Sequence, residues 1–293
     1  MGRIVYSILG GDQRQSQCAK ILAAKDNIVN IYGIECDFND RNIRKVDILD
    51  RNFFRCHVLL LPIPYKNSEG HINHIKGIKN LKFNDFVDII HPSTKVILGK
   101  ADSEIKNGSQ KYGFEYFDLI DDETFSILNS IPSAEGAIQR AMERTDITIH
   151  GSKVLVLGYG RLGKTLSRML SGIGANVTVA ARKSEDLAWV RERGHKGIFL
   201  DKLDDILYKQ DIVFNTIPAL ILDSTKLAML SPESIIIDLA SYPGGVDFDE
   251  AKRLGLRADL DLSLPGLVAP KAAGEIICVS IEHFIKDLGG DST

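Results

Sequence analysis

Six consecutive residues in the second half of the chain have the types and the spacing that could hold a phosphate group. They are Gly158, Tyr159, Gly160, Arg161, Leu162 and Gly163, which follow an apolar run at 154–157. In a G-x-G-x-x-G turn, the first glycine permits the tight turn, the second lets the backbone approach a pyrophosphate, and the third allows a helix to pack closely. We therefore predict that these six residues bind a dinucleotide.

The elements on both sides of this turn have the patterns that such a site needs. Residues 154–157 are Val-Leu-Val-Leu, an uninterrupted run typical of a buried parallel strand. After the glycines, an apolar stripe recurs with helical spacing at Leu162, Leu166, Met169 and Leu170. This order predicts a helix N-terminus that directs N–H groups and a positive dipole end at the phosphates.

The end of the next predicted strand indicates which dinucleotide is bound. In NAD enzymes that strand ends in an acidic residue that binds the ribose hydroxyls. Here Ala180 and Ala181 end the strand, and Arg182 and Lys183 follow. Two cations suit a 2′-phosphate better than a free diol, so we predict NADP rather than NAD, with both residues in the cofactor site. The alternative is that both are solvated surface residues.

Later strands of this half end in further polar residues. Ligands of doubly wound sheets lie outside the carboxyl ends of the strands. We therefore predict that the cofactor is also contacted by Asn215, Thr216, Pro218, Asp238 and Ala240, and that Ser241 contacts the substrate. A carboxylate that caps a loop is an equally good interpretation of Asp238.

Lys271 is a candidate catalytic residue, because it lies where a positive charge is unfavourable. It follows Pro270, which suits the start of a helix. A cation there adds to the positive end of the dipole, unless it faces an anionic substrate or acts as an acid or base with a lowered pKa. The alternative is an exposed lysine in a frayed turn. His71 and His74 lack a third ligand at a recognisable spacing, so no metal site is predicted.

The whole pattern predicts an α/β protein with two doubly wound, Rossmann-like domains and a cleft between them. We expect 1–130 to form a substrate or partner domain and 131–293 to form the NADP-binding domain. In the second half, strands are predicted at 153–157, 177–181, 196–199, 211–216, 234–239 and 256–259, with helices at 162–171 and 184–193.

A connecting helix and a terminal helix complete this prediction. Ser133 would cap the connecting helix at 134–144, after an irregular stretch that contains Pro132, and the terminal helix would cover 272–288. The first half repeats the theme with a glycine turn at Gly10 and Gly11 that lacks a third glycine, so we do not expect it to hold a dinucleotide.

Composition excludes several classes of function. The net charge is −3 and the isoelectric point is near 6.2, which argues against a nucleic-acid surface or an anionic membrane surface. The four cysteines form no C-x-x-C pair, which fits a reducing cytoplasm. Apolar runs are too short to span a bilayer, and the start lacks a secretory pattern, so we expect a cytoplasmic protein.

Several segments together resemble one family, that of the dehydrogenase-like A subunit of dipicolinate synthase. The segments are ILGGDQRQ near residue 8, NSIPSAEGAIQRAM at 129–142, TDITIHGSKVLVLGYGRLGKT at 145–165, NTIPALIL at 215–222, DLASYPGGVDF at 238–248 and LPGLVAPKAAG at 264–274. The resemblance runs nearly end to end and is weakest at 66–110. It departs from the family at Ala272, where members usually carry a hydroxyl residue.

The resemblance implies oxidation of a dihydrodipicolinate-like ring to the aromatic diacid during sporulation, in the mother-cell cytoplasm. It also implies a flavoprotein-like partner, the B subunit of dipicolinate synthase. The chain could also form a homo-oligomer. A dicarboxylate needs two anion sites, for which we predict Arg14 and either Lys271 or the N–H groups near Ser133 and Glu135. Glu135 is the predicted base, although a glutamate that favours the dipole of a first helical turn is an equal interpretation.

Two other functions compete with this hypothesis. The chain could be a non-catalytic NADP-binding regulatory or scaffold subunit, since no unmistakable acid or base histidine is present. It could also be a 2-hydroxy-acid or alanine dehydrogenase, which shares the two-domain plan but generally uses a recognisable histidine with an acidic or arginine partner.

Overall fold

The computed structural model describes residues 3–34, 39–73, 75–77 and 80–289. The chain divides into two compact units. Unit 1 comprises residues 1–128 and 269–293, and unit 2 comprises residues 129–268.

Unit 1 is built on a six-stranded parallel sheet. Its strands are β1 (Val5–Leu9), β2 (Ile28–Tyr32), β3 (Ile43–Lys45), β4 (Val58–Leu60), β5 (Lys95–Leu98) and β6 (Glu115–Asp118). They are ordered β3-β2-β1-β4-β5-β6, so the direction of winding changes between β1 and β4. The helices are α1 (Gln13–Ala24), α2 (Arg51–Phe54), α3 (Ser103–Tyr112), the start of α4 (Glu123–Arg144) and, from the end of the chain, α10 (Pro270–Gly289). Short 3-10 helices cover Phe83–Asp85 and Val87–Ile89.

Unit 2 repeats this plan with a second six-stranded parallel sheet. Its strands are β7 (Lys153–Leu157), β8 (Asn176–Ala181), β9 (Lys196–Phe199), β10 (Ile212–Asn215), β11 (Ile235–Asp238) and β12 (Arg257–Leu260). Their order is β12-β11-β10-β7-β8-β9, and the winding reverses between β7 and β10. The helices are the rest of α4, then α5 (Arg161–Gly172), α6 (Ser184–Glu192), α7 (Ser224–Leu227), α8 (Phe248–Arg253) and α9 (Leu264–Val268). Short 3-10 helices cover Leu200–Asp205 and Leu207–Lys209.

Apolar strands form because both faces of each sheet are covered. In β7, Val154 and Val156 point to one apolar cluster of unit 2, while Leu155 and Leu157 point to the other. All four residues are completely buried. Successive side chains of a strand point to opposite faces, so a strand buried on both sides has an uninterrupted apolar run.

The predicted fold class, two doubly wound α/β domains, is confirmed. The six strands predicted in the second half are all present, with ends that differ by one residue or not at all. β3, at the edge of the first sheet, has a sequence that does not predict a strand. Two of its three residues, Arg44 and Lys45, are charged and exposed, which is typical of an edge strand and gives no apolar pattern.

The connecting helix is longer than we predicted. α4 begins at Glu123 and runs through Pro132, so Ser133 lies inside the helix instead of capping it. Ser133 Oγ donates to the carbonyl of Asn129 at 2.8 Å. Pro132 has no N–H to donate, yet the helix continues because it is packed on both sides of the proline, by Phe125 in unit 1 and by Ala134 in unit 2.

The terminal helix belongs to unit 1, whereas we assigned all of 131–293 to the second domain. It begins at Pro270, as a proline in the first helical position favours. Ile277, Cys278 and Ile281 lie in the same apolar cluster as Tyr6 and Ile8 of β1. The chain therefore returns to unit 1 after building the whole sheet of unit 2, a connection that no local pattern encodes.

Candidate functional site: a glycine turn for a dinucleotide

Gly158 follows β7 in a conformation that favours glycine. Its φ is +98°, and a Cβ placed there would lie 2.4 Å from Thr216 Oγ1. Thr216 follows β10, and its hydroxyl donates to the carbonyl of Leu157 at 2.8 Å. Because β7 and β10 are the strands between which the winding reverses, this turn lies at the position where ligands of such sheets bind.

Gly163 is closely packed in the turn, whereas Gly160 borders open space. A Cβ at Gly163 would lie 2.2 Å from the carbonyl oxygen of Gly158, so only glycine lets α5 pack this closely. Gly160 is exposed, and a Cβ there would have no atom within 4 Å. Its φ of −75° and ψ of −166° suit other residues as well. Gly160 therefore differs from Gly158 and Gly163 in that it is neither strained nor crowded and has open space beside its backbone.

The first turn of α5 offers backbone donors beside that space. The intrahelical hydrogen bonds begin with Lys164 N–H, which donates to the carbonyl of Gly160 at 2.9 Å. The N–H groups of Leu162 and Gly163 precede this bond, as does that of Arg161, the first residue of the helix. Donors, a positive dipole end and open space fit a pyrophosphate, so the turn is suited to a dinucleotide.

Tyr159 contributes to this site through its backbone, because its side chain is buried. The ring is 4% exposed and packs in the apolar cluster with Val154 and Leu166. Within the described part of the chain its hydroxyl has no hydrogen-bond partner, and burial raises the pKa of this phenol. Lys164 Nζ lies 5.6 Å from the ring centroid.

Arg182 and Lys183 directly follow β8, which ends in the buried Ala180 and Ala181. Both cationic side chains are exposed, and Lys183 is the N-cap residue of α6 without a side-chain capping bond. The acidic residues that follow, Glu185 and Asp186, lie in the first turn of α6, where they favour the dipole. The end of this strand therefore presents positive charge and no carboxylate.

Asn215 and Asp238 tie two strand ends together. Asn215 is completely buried, and its Nδ2 donates to Asp238 Oδ1 at 2.9 Å and to the carbonyl of Ile217 at 3.0 Å. Asp238, also completely buried, accepts from the N–H of Ala240 at 2.9 Å and from that of Gly245 at 2.6 Å. The loop-capping interpretation of Asp238 therefore describes its bonds, and both side chains hold the loops that border the turn.

The remaining residues predicted to contact the cofactor or the substrate lie on these loops. Pro218 and Ser241 are exposed, while Ala240 is buried. The carbonyl of Ser241 accepts from Gly244 N–H at 2.9 Å, and the turn between them contains the cis peptide bond Tyr242–Pro243.

Arg14 in unit 1 is bound by neighbouring protein groups, whereas we expected a guanidinium directed at the substrate. It is 5% exposed. Its Nη2 donates to Asp12 Oδ2 at 2.8 Å and to the carbonyl of Ile63 at 2.7 Å, and its Nε donates to Asp12 Oδ1 at 2.9 Å. Arg14 thus compensates Asp12 and links the ends of β1 and β4.

The predicted anion-binding N–H groups near Ser133 and Glu135 are inside α4, where backbone N–H groups bond to carbonyls one turn earlier. Glu135 itself is exposed in mid-helix, so the alternative role in a first helical turn does not apply. Lys271 is the second residue of α10 and is exposed.

The spacing of Asp12 and Gln15 carries a helix-capping signal that our predictions did not use. Asp12 and Gln15 form a capping box at the start of α1: Asp12 caps the helix, and Gln15 Oε1 accepts from Asp12 N–H at 3.0 Å. An acidic cap residue followed three positions later by glutamine is the pattern of this box.

His71 lies beside Glu69, with its Nδ1 3.3 Å from Glu69 Oε2. His74 falls outside the described residues. Among the residues that the structure describes, no three histidine, cysteine or acidic side chains are grouped as metal ligands. No helix in the described ranges has the length and hydropathy needed to cross a bilayer.

Two family models match the chain, one in each half. Residues 5–120 match the N-terminal domain of the A subunit of dipicolinate synthase, and residues 129–242 match the NAD-binding domain of D-isomer-specific 2-hydroxyacid dehydrogenases. The second match contains the glycine turn and the end of β8, where we predicted a dinucleotide site.

A subunits of dipicolinate synthase from two species match the chain over nearly its whole length. The chain is 33% identical over 284 residues to the A subunit of dipicolinate synthase of Bacillus subtilis (strain 168). The aligned region covers 96% of each sequence. The crystal structure of the A chain of dipicolinate synthase from Bacillus subtilis superposes with a TM-score of 0.88 at 32% identity, covering 100% of this chain and 99% of that one. The structure of the corresponding protein from Bacillus halodurans gives 0.87 at 32% identity over 97% and 99% of the two chains.

These matches confirm the resemblance found in the glycine-rich and proline-rich segments. The chain belongs to the family of dipicolinate synthase A subunits, and it is an oxidoreductase that uses a nicotinamide dinucleotide.

Proposed function

We propose that this chain is the dehydrogenase-like A subunit of a dipicolinate synthase that acts in sporulation. It oxidises a dihydrodipicolinate-type cyclic dicarboxylate to dipicolinate, pyridine-2,6-dicarboxylate, and its cofactor is NADP. The observation that carries this proposal is the end-to-end match to the Bacillus subtilis protein of that name. The open glycine turn of unit 2 supports it independently, because it suits the cofactor that such a reaction needs.

The preference for NADP rests on the end of β8. Arg182 and Lys183 are exposed there, and the strand ends in two alanines where NAD enzymes place an acidic residue. A guanidinium forms charge-assisted hydrogen bonds with a 2′-phosphate and can stack on adenine. Arg182 and Lys183 would therefore hold the 2′-phosphate, while the backbone from Gly158 to Gly163 holds the pyrophosphate.

The reaction removes a hydride and a proton from the ring, which becomes aromatic. A bound oxidised nicotinamide supplies the acceptor for the hydride. Glu135 would take the proton on its carboxylate, and the Lys271 ammonium would bind a substrate carboxylate or transfer a proton. Arg14, Ser133 and Ser241 remain predicted substrate residues. Of these, Ser241 has an exposed side chain, while Arg14 and Ser133 already donate to protein acceptors.

The proposed function includes a second protein. The name of the Bacillus subtilis relative specifies an A subunit and so implies a B subunit, and we propose that the two act together in the mother-cell cytoplasm.

A coupled assay tests the reaction. The chain receives dihydrodipicolinate and NADP, with and without the B subunit, and reduced nicotinamide and pyridine diacid are measured together. We expect both products to accumulate in equal amounts. Aromatisation is favourable, so the same mixture without the chain serves as the control. Diacid that forms without reduced nicotinamide, or no diacid with both proteins present, would contradict the proposal.

The same assay separates the two competing functions. For a regulatory or scaffold protein, the variants Lys271→Ala, Glu135→Ala and Arg14→Ala would all keep full activity of the mixture that contains both proteins. A 2-hydroxy-acid or alanine dehydrogenase would instead reduce small 2-oxo acids at a rate similar to that of dihydrodipicolinate oxidation. The assay with 2-oxo acids is necessary because residues 129–242 match the NAD-binding domain of 2-hydroxyacid dehydrogenases.

A further inference from the structure

Helices α1 and α10 of unit 1 come into close contact at a glycine. A Cβ placed on Gly274 would lie 2.8 Å from Gln17 Cβ and 3.1 Å from the backbone nitrogen of Cys18. A residue without a side chain is needed where two helix backbones approach so closely. Cys278 follows Gly274 by one helical turn and therefore lies on the same face of α10, towards α1.

Cys278 meets a second cysteine across this contact. Its Sγ lies 3.1 Å from Cys18 Sγ, although the two residues are 260 positions apart in the chain. Cys18 is 0% exposed and Cys278 is 2% exposed. Both belong to the apolar cluster that contains Ile8 and Ile277, and both are free thiols in the structure. The fold therefore aims two buried thiols at each other from opposite ends of the chain.

The two sulfurs need little movement to become bonded. A disulfide has an S–S length of about 2.05 Å, so the sulfurs have to approach each other by about 1 Å. The backbones are already in contact at Gly274, so rotation of the two side chains can supply much of this movement. Cys56 does not compete as a partner, because it packs with Leu9 in the apolar cluster on the other face of the sheet.

The surroundings of the pair limit the oxidants that can react with it. A bulky disulfide such as oxidised glutathione is excluded from a buried sulfur, whereas hydrogen peroxide is small and uncharged. The hydrogen bond to Cys278 and burial raise the pKa of the Cys18 thiol well above its ordinary value, so this thiol reacts slowly near neutral pH. The pair should therefore stay reduced in a reducing compartment and respond only to sustained oxidation.

We propose that Cys18 and Cys278 form a site of oxidative modification, at which a peroxide converts the two thiols into a disulfide that ties α10 to α1. One sulfur attacks a peroxide oxygen as its thiolate, the O–O bond breaks, and a sulfenic acid and water form. The second sulfur attacks the sulfur of the sulfenic acid and displaces its hydroxyl group, which leaves as a second water with the remaining thiol proton. The two thiols together lose two electrons and two protons, and the peroxide is reduced to water.

This disulfide joins the two separated segments that build unit 1. α10 returns to unit 1 only after residues 129–268 have formed unit 2, and its Ile277 and Ile281 complete the apolar cluster beside β1. A covalent bond keeps the terminal helix attached during unfolding and removes conformational freedom from the unfolded chain. Oxidation should therefore stabilise unit 1.

Treatment of the folded protein with hydrogen peroxide, followed by alkylation in denaturant and peptide mapping, tests the site. We expect the wild type to give a crosslink between the peptides that contain Cys18 and Cys278, which a dithiol reductant separates again. Cys18→Ala and Cys278→Ala should give no such crosslink. Cys56→Ala is the matched control, because it removes a buried thiol of unit 1 from the other apolar cluster and should leave the crosslink unchanged.

Denaturant unfolding of the same samples measures the consequence for unit 1. We expect peroxide to raise the unfolding midpoint of unit 1 in the wild type and in Cys56→Ala, and not in Cys18→Ala. The proposal is overturned if the folded wild type forms no crosslink, if it forms one only after unfolding, or if the crosslink leaves the midpoint unchanged. A mixed disulfide of glutathione with Cys18 or Cys278 in the folded protein would equally overturn it. Each wild-type result decides the proposal even where a variant does not fold.

Discussion

Three glycines in one turn have three different physical reasons to be glycine. Gly158 adopts a positive φ, a Cβ on Gly163 would collide with the carbonyl oxygen of Gly158, and Gly160 borders open space. Only the first two are required by the fold of the protein itself. Gly160 is therefore the position at which binding and folding can be separated.

Substitution of alanine at two of these glycines should have opposite effects. Gly160→Ala leaves the free energy of unfolding within about 1 kcal/mol of the wild type, since its backbone suits alanine and nothing lies near the new methyl group. It should weaken dinucleotide binding at least about tenfold, because the methyl occupies the space for the pyrophosphate.

Gly163→Ala is the matched variant, and it should lower the free energy of unfolding by about 1–3 kcal/mol, because the methyl collides with Gly158. Denaturant unfolding and calorimetric titration measure both quantities. Equal destabilisation by the two variants, or undiminished binding by Gly160→Ala, would show that Gly160 does not border a ligand.

The positions of the residues in the glycine turn were predictable from the sequence, whereas the partners of buried side chains were not. The turn geometry of Gly158 and Gly163 follows from glycine spacing between a strand and a helix. The partners of Arg14 do not, because Asp12 lies two residues away and Ile63 lies on another strand's loop. Whether a buried guanidinium faces a ligand or a neighbouring carboxylate depends on side-chain orientation, which spacing does not determine.

At the scale of elements, buried carboxylates hold the loops at the ends of both sheets. Asp238, at the end of β11, accepts from Asn215 Nδ2 and from the N–H groups of Ala240 and Gly245. Asp118, at the end of β6, accepts from the N–H groups of Lys100, Ala101 and Ile120. Each carboxylate accepts from three donors, and a buried donor left without an acceptor costs more free energy than an exposed hydrogen bond contributes.

Element boundaries were predictable where local signals dominate. The strands of unit 2 are bounded by turns and glycines, and their apolar runs are continuous, so prediction and structure agree there. The start of α4 was not predictable, because a proline at position 132 normally interrupts a helix. The helix continues because it is packed on both sides of Pro132, and such tertiary packing cannot be predicted from the local sequence.

At the scale of the whole molecule, unit 1 is assembled from two separated segments of the chain. The terminal helix completes its apolar cluster with Ile277, Cys278 and Ile281. Unit 2 is continuous from 129 to 268 and has its own sheet and both of its apolar clusters. Two sheets were predictable from the sequence, but the return of the chain to unit 1 was not, since the pattern of the terminal helix fits either unit equally well.

Two fragments test this division. The fragment 129–268 should unfold cooperatively and retain dinucleotide binding, because it keeps the glycine turn and all six strands of its sheet. The fragment 1–268 should lose cooperative unfolding of unit 1, because removal of α10 exposes buried apolar surface on α1 and β1. Denaturant unfolding followed by circular dichroism measures both. An intact first transition in 1–268 would contradict the observed division.

The proposed function requires a dinucleotide in unit 2 whose 2′-phosphate is bound by Arg182. The most direct measurement is calorimetric titration of NADP and of NAD into the wild type and into Arg182→Ala. Arg191→Ala is the control, because it makes the same charge change at an exposed side chain of α6. We predict that the wild type prefers NADP and that Arg182→Ala weakens NADP binding by about 10-fold to 100-fold while NAD binding stays within about threefold. Arg191→Ala should behave as the wild type. Equal affinity of the wild type for the two dinucleotides, or equal losses in the two variants, would contradict the assignment of the 2′-phosphate to Arg182.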